Sequence, residues 1–339
     1  MKLWKLKGAR KLTMEETPAT ALTSGMVKVK VEEVLFSSLD YSIYSGEIKR
    51  KYPFVMGRNA VGVISDVYDK KQSMFKKMDR VVVEPYIPCN SCDECLKQDY
   101  ENCTELKYMG QNSEGLLRNF VDVSINQVHR LPENLSYEEA LWVPHVAFCL
   151  NIVDALNVEK GRHVAIFSST KTGIILAQLL LYYQGVPILV SDNESLLKNA
   201  RELGIFYCLD SKKVNVEQEI LTITGGRMCR EVVLLFSDSD FSVKNVYSAA
   251  APNATICLAG YSNKDSKLSL SQISQKHLTV FGVYNGVGNF SSAINSLVTG
   301  TVKVEKLLGK QLKFDKLDEQ LETLSQEGLA LKSQIIKVD

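Results

Sequence analysis

The sequence predicts an α/β protein: a β-rich first part, then a doubly wound parallel sheet, then a short return. From Met1 to about Leu131, alternating or β-branched runs lie between polar turns. From about Ser136 strands and helices alternate, the pattern of a parallel sheet covered on both faces. Within the first of these regions four cysteines, Cys89, Cys92, Cys95 and Cys103, are spaced C-x2-C-x2-C-x7-C.

Taken in order, residues 27–31 alternate with period two, and residues 60–67 and 80–84 are short β-branched runs. Residues 137–156 read as a helix interrupted near Pro144. Strands follow at 163–168, 187–191, 231–236 and 254–258, with helices at 173–184, 194–203, 214–224 and 242–250. The last helix, 316–327, places Leu317, Leu321 and Leu324 on one face, with Asp315 at its start and Gly328 at its end.

At 339 residues the chain is long enough for two domains with separate cores. The composition, 45% hydrophobic and 23% charged, is that of a soluble globular protein. Forty basic and 39 acidic residues, mixed along the chain, leave a net charge of +1, which argues against a nucleic-acid or membrane-surface partner. The longest apolar stretch, 174–181, is too short for a bilayer and is interrupted by Gln178. Residues Met1 to Lys5 lack the apolar core of a signal peptide, so a cytoplasmic location is expected.

The cysteine spacing suits a tetrahedral ion, and zinc is the expected metal. Four thiolates leave no open coordination position, so this metal would hold a loop and perform no chemistry. Disulfides or surface thiols are the plainer alternative, and the absence of a secretory segment weighs against them.

With this cysteine loop, three further stretches carry a resemblance. Tyr52-Pro53-Phe54-Val55-Met56-Gly57 is similar to the P-x-x-x-G-H-E turn of the medium-chain dehydrogenase/reductase superfamily. Ser37 to Gly46 stands where that family has C-G-S-D-x-H-x-x-x-G, and Leu331-Lys332-Ser333 where it often has A-x-K. The chain thus resembles the zinc alcohol, sorbitol and threonine dehydrogenase branch. The resemblance implies a GroES-like β-barrel catalytic domain (1–145 and 285–339) and a Rossmann domain (146–284). It also implies a small-molecule substrate and a homodimer or homotetramer.

The same resemblance implies a catalytic zinc on a Cys, a His and an acidic residue, and those positions read Ser37, Arg58-Asn59 and Val143 before Pro144. Serine is a poor zinc ligand, arginine does not deprotonate, and valine has no donor. The proton-relay hydroxyl and histidine fall on Leu39 and Ser42. Asp40, which in the family supports the zinc-bound histidine, is expected to pair with Arg58. That pair either plugs the vacated site or lets Arg58 orient a carboxylate or carbonyl, with Ser37, Ser42 and Asn59 as hydrogen-bond donors. Tyr41, Tyr44 and His145 are candidate proton donors, His145 being equally readable as a core histidine.

The cofactor loop departs too. Where G-x-G-x-x-G is expected the chain has Ser168-Ser169-Thr170-Lys171-Thr172-Gly173, keeping only the third glycine. Thr170 puts a branched side chain where phosphate would touch backbone. The hydroxyls of Ser168, Ser169 and Thr170 and the charge of Lys171 are candidate phosphate contacts at a helix N-terminus. Asp192, about twenty residues on, suits the ribose hydroxyls of NAD(H) and would repel the NADP(H) phosphate; it also reads as a helix cap. Three functions follow: a nicotinamide-dependent reductase of an activated C=C, C=N or C=O bond without catalytic zinc, a non-catalytic binding module, or a zinc polyol dehydrogenase.

Overall fold

The computed structural model describes residues 1–69, 73–236, 243–261, 267–326 and 333–338. The chain folds as two compact units. The first comprises Met1–Pro144, Phe290–Val298 and Leu307–Asp339; the second comprises His145–Asn289 and Thr299–Lys306. The return to the first unit, expected at residue 285, thus begins at Phe290 and is interrupted by Thr299–Lys306.

The first unit is built on the strand Met26–Phe36. Val27, Val29 and Val31 are fully buried while Lys28 and Lys30 face outward, so the period-two pattern sets the inner face. This strand pairs antiparallel with Asn59–Val67 on one edge. On the other edge it takes Phe120–Ser124 along its first half and the C-terminal strand Gln334–Lys337 along its second. The chain end therefore completes the same seven-stranded sheet that the N-terminal third begins.

The expected helix at 137–156 is two helices, Tyr137–Ala140 and Val143–Leu156. The break precedes Pro144, which sits in the first turn of the second helix, where a missing N–H costs nothing. Asp315 does not cap the last helix: it lies inside a 3-10 turn, Phe314–Lys316, running into Leu317–Gln326. Its carboxylate meets Lys2 at 3.4 Å. Gly328, Leu331 and Lys332 lie outside the described residues.

The second unit holds a six-stranded, wholly parallel sheet. Its order is Tyr207–Asp210, Val186–Ser191, His163–Phe167, Cys229–Leu235, Ala250–Ala259, Thr279–Val283. Numbered along the chain that is 3-2-1-4-5-6, the doubly wound order whose switch point lies beside the first strand. The helix Lys171–Tyr182 after that strand is apolar nearly all round and buried from Gly173 to Leu180. Both edge strands, Tyr207–Asp210 and Thr279–Val283, escape the sequence reading because they are short and only partly buried, without a clean alternation.

Candidate active site

The four cysteines of the loop meet. Their sulfurs all lie within 4.8 Å of one another, with Cys89 and Cys95 3.9 Å apart. Zinc–sulfur bonds of about 2.3 Å in a tetrahedron require sulfurs about 3.8 Å apart, so the set is close to that geometry. Backbone N–H groups already point at sulfur: Cys89 donates to Cys103 Sγ and Cys92 to Cys89 Sγ, each at 3.3 Å. The N–H groups of Cys95 and Thr104 pull the Cys92 thiol down to about 6, while burial pushes Cys95 up to about 12. All eight cysteines are free thiols in the structure. The donor set and spacing fit a four-thiolate metal ion, and among the described residues no other group of three such ligands comes together.

The second set of candidates lies on the helix Ser38–Ser45. Ser37 is its N-cap and Asp40 its third residue, and the two close a capping box. Asp40, fully buried, accepts the Ser37 N–H at 2.9 Å and the Ser37 Oγ–H at 2.6 Å, both on Oδ2. Arg58 Nη2 donates to the same Ser37 Oγ at 3.2 Å. The expected Asp40–Arg58 ion pair is present, with Arg58 Nε 3.7 Å from Asp40 Oδ1, but no hydrogen bond joins the two directly and the serine hydroxyl bridges them. The capping bonds hold Oδ2 at the helix start and leave Oδ1 as the oxygen turned toward Arg58.

Arg58 leaves the turn at Gly57, whose φ of +88° is a left-handed conformation. A side chain there would also come within 2.9 Å of the Leu117 nitrogen. Asn59 then opens a buried strand, 3% exposed, with its Nδ2 donor unpartnered. Arg58 Nε and Asp40 Oδ1 are likewise buried and without a hydrogen bond. These two atoms face each other as an ion pair, so Asn59 Nδ2 is the donor that a bound polar ligand or water would satisfy. Ser42 and Tyr41 are also buried, Tyr41 with its ring 6.0 Å from Tyr44. Burial raises the Tyr44 pKa, and the charges acting on it are those of Glu322, Arg10 and Asp318.

The third set is the loop after the first strand of the parallel sheet. Ser168 is fully buried and turns its hydroxyl back into the loop, accepting the Thr170 N–H and facing the Thr170 carbonyl, both at 3.2 Å. It is thus withdrawn from the phosphate contact expected of it. Thr170 is the N-cap of Lys171–Tyr182, without a side-chain capping bond, and the Thr172 carbonyl accepts the Cys149 thiol at 3.6 Å. Gly173 permits close packing: a Cβ there would lie 2.6 Å from Ser168 Cβ and 3.2 Å from Leu189. Ser169 Oγ donates to Asp192 Oδ1. Asp192 is not the cap of the following helix; Asn193 is, accepting the Leu196 N–H at 3.2 Å. The Asp192 carboxylate therefore stays at the strand end, where a ribose diol would meet it, so this end of the site fits a dinucleotide.

Residues 23–133 match the alcohol dehydrogenase GroES-like domain, and residues 172–299 match the zinc-binding dehydrogenase domain. The chain belongs to the zinc-type alcohol and sorbitol dehydrogenase family. Its two units are a GroES-like domain and a Rossmann-like parallel sheet. A zinc-type alcohol dehydrogenase-like protein of Haemophilus influenzae is 25% identical over 94% of each chain. The sorbitol dehydrogenase of Bacillus subtilis is 22% identical over 100% of this chain and 96% of its own. An Escherichia coli short chain alcohol dehydrogenase crystallised with NADH superposes with a TM-score of 0.88. It is 22% identical and covers 100% of this chain and 99% of its own.

Within this family frame, one charged residue beside the cofactor candidates escapes sequence reasoning. Lys212 follows the unrecognised strand Tyr207–Asp210, and its ammonium lies 2.9 Å from the Asp192 carbonyl and 3.8 Å from Asp192 Oδ2. The signal available was a basic pair, Lys212-Lys213, twenty residues after the acid. Among the described residues no helix is long and apolar enough to cross a membrane.

Proposed function

We propose that this chain is a nicotinamide-dependent oxidoreductase that carries zinc only at Cys89, Cys92, Cys95 and Cys103 and works without a catalytic zinc. The observation that carries the reading is the Arg58–Ser37–Asp40 arrangement, in which Ser37 and Arg58 stand where the family resemblance places metal ligands and Asp40 where it places the carboxylate behind them. NAD(H), when bound, supplies or accepts the hydride. The residues of the chain hold the other end of the reacting bond. The Ser37 hydroxyl donates a hydrogen bond to Asp40 and accepts one from Arg58, so it orients the guanidinium. The unpartnered Asn59 Nδ2 remains as a donor for a substrate oxygen or nitrogen, beside the Arg58 charge. A fixed guanidinium polarises such an atom less than zinc does, which suits an already activated C=C, C=N or C=O bond of a small molecule. The relative named sorbitol dehydrogenase makes carbonyl–hydroxyl chemistry the first class to screen.

A homodimer or homotetramer and a cytoplasmic location belong to the same reading, on the family resemblance. A non-catalytic binding module is the second reading, favoured by the inward Ser168 hydroxyl and by Thr170 at the helix cap. Titration of the zinc-loaded protein with NADH, followed by nicotinamide fluorescence and calorimetry, separates the two. Saturable binding with one zinc per chain supports the oxidoreductase. Failure of both NADH and NADPH to bind at millimolar concentration would abandon it for the binding module.

A further inference from the structure

We infer that the pocket ending on Asp192 accepts a 2′-phosphorylated ribose as well as a free one, and that Lys212 determines this; the inference rests on the nicotinamide reading above. An acidic residue at the end of the second strand ordinarily selects NAD(H), because it accepts the ribose hydroxyls and repels a phosphate. That rule assumes an uncompensated carboxylate. Here both oxygens have company before any ligand arrives.

Ser169 Oγ donates to Oδ1, and the Lys212 ammonium stands 3.8 Å from Oδ2. The lysine is held in place, not merely nearby. Its Nζ donates to the Asp192 carbonyl at 2.9 Å, and its own backbone N–H donates to Asp210 Oδ1 at 3.0 Å. The adjacent Lys213 is committed elsewhere, to Glu194 and to Asp210 at 3.4 Å. Lys213 thereby screens the other two carboxylates at these strand ends. Lys212 makes no second ion pair among the described residues and is 69% exposed, so its ammonium can turn toward an incoming anion.

A phosphate monoester carries a charge of about −1.5 to −2 at neutral pH and would draw the ammonium off Asp192 into a charge-assisted bond. A free ribose would instead leave Lys212 on Asp192 and use the remaining lone pairs of the carboxylate. Each cofactor thus has a partner: NADPH on Lys212, NADH on Asp192. The acid alone predicts exclusion of the phosphate, and the lysine twenty residues later reverses it.

Calorimetry on the full zinc-loaded chain tests this, with NADH, NADPH and the fragments 5′-ADP and 2′,5′-ADP as probes. The native protein should bind NADPH within about tenfold of NADH, and Lys212→Ala should weaken NADPH and 2′,5′-ADP by about tenfold with NADH changing less than about twofold. Lys212→Glu should widen that gap, and Asp192→Asn should weaken NADH while tightening NADPH. The inference alone is overturned if NADH binds but NADPH is more than about 100-fold weaker, or if Lys212→Ala shifts both cofactors equally. If neither dinucleotide binds the native chain, this inference and the nicotinamide reading fall together.

Discussion

Replacing Asp40 by Ala should cost the first unit about 3 kcal/mol, and most of that should come from the helix start rather than from Arg58. The carboxylate is fully buried and accepts two hydrogen bonds from Ser37, at 2.9 and 2.6 Å. Bonds to a charged group contribute about 1.5–3 kcal/mol each, so the pair sums to about 3–6, and relief from burying the charge offsets part of it. Arg58 is a weaker partner. At 3.7 Å, with no hydrogen bond and the guanidinium 20% exposed, the direct attraction is largely cancelled by desolvation. With an effective dielectric near 20 that attraction is about 4.5 kcal/mol, and we expect about 1 to survive as coupling. A double-mutant cycle of Asp40→Ala and Arg58→Met, in urea unfolding, measures both quantities. The two tryptophans, Trp4 and Trp142, are buried in this same unit, so their fluorescence reports its unfolding. An Asp40→Ala cost below about 1 kcal/mol would refute the capping assignment, and a coupling above about 3 would mean the direct ion pair dominates after all.

The cysteine cluster should hold one zinc per chain, and Cys95→Ser should lose the metal and lower the unfolding temperature; two zincs per chain by elemental analysis would contradict the Arg58 site. Glu33 gives a pH dependence of definite sign. Burial holds its carboxyl above the ordinary range although Lys337 bonds it, so the folded state binds this proton more tightly than the unfolded one. Stability from this group is therefore level below about pH 4.3 and falls as pH rises through the folded value. Glu33→Gln should flatten that fall in urea midpoints measured against pH, since Lys337 keeps Glu138 at 3.0 Å; an unchanged slope would count against it.

How much was legible follows from what each feature depends on. The cysteine cluster was readable because four thiols lie within one short segment and chemistry limits what they can hold. The central strands were readable because burial on both faces demands unbroken apolar runs such as Ile188 to Val190. Tyr207–Asp210 and Thr279–Val283 were not, since an edge strand is shaped by its neighbour and needs no clean pattern of its own. The Asp192 cap alternative was resolved only by seeing Asn193 take the Leu196 N–H.

By itself the sequence determined the division into a β-rich part and an alternating part, and the cysteine cluster. Both rest on side-chain identity and local period, which neighbours in space cannot alter. Tertiary structure alone decided partnership. It brought the C-terminal strand onto Met26–Phe36, placed the Ser37 hydroxyl between Asp40 and Arg58, folded Ser168 back on Thr170, and set Lys212 against Asp192. Hydrogen bonds and ion pairs are decided by separations of a few tenths of an ångström between residues far apart in the chain, and no periodicity encodes those.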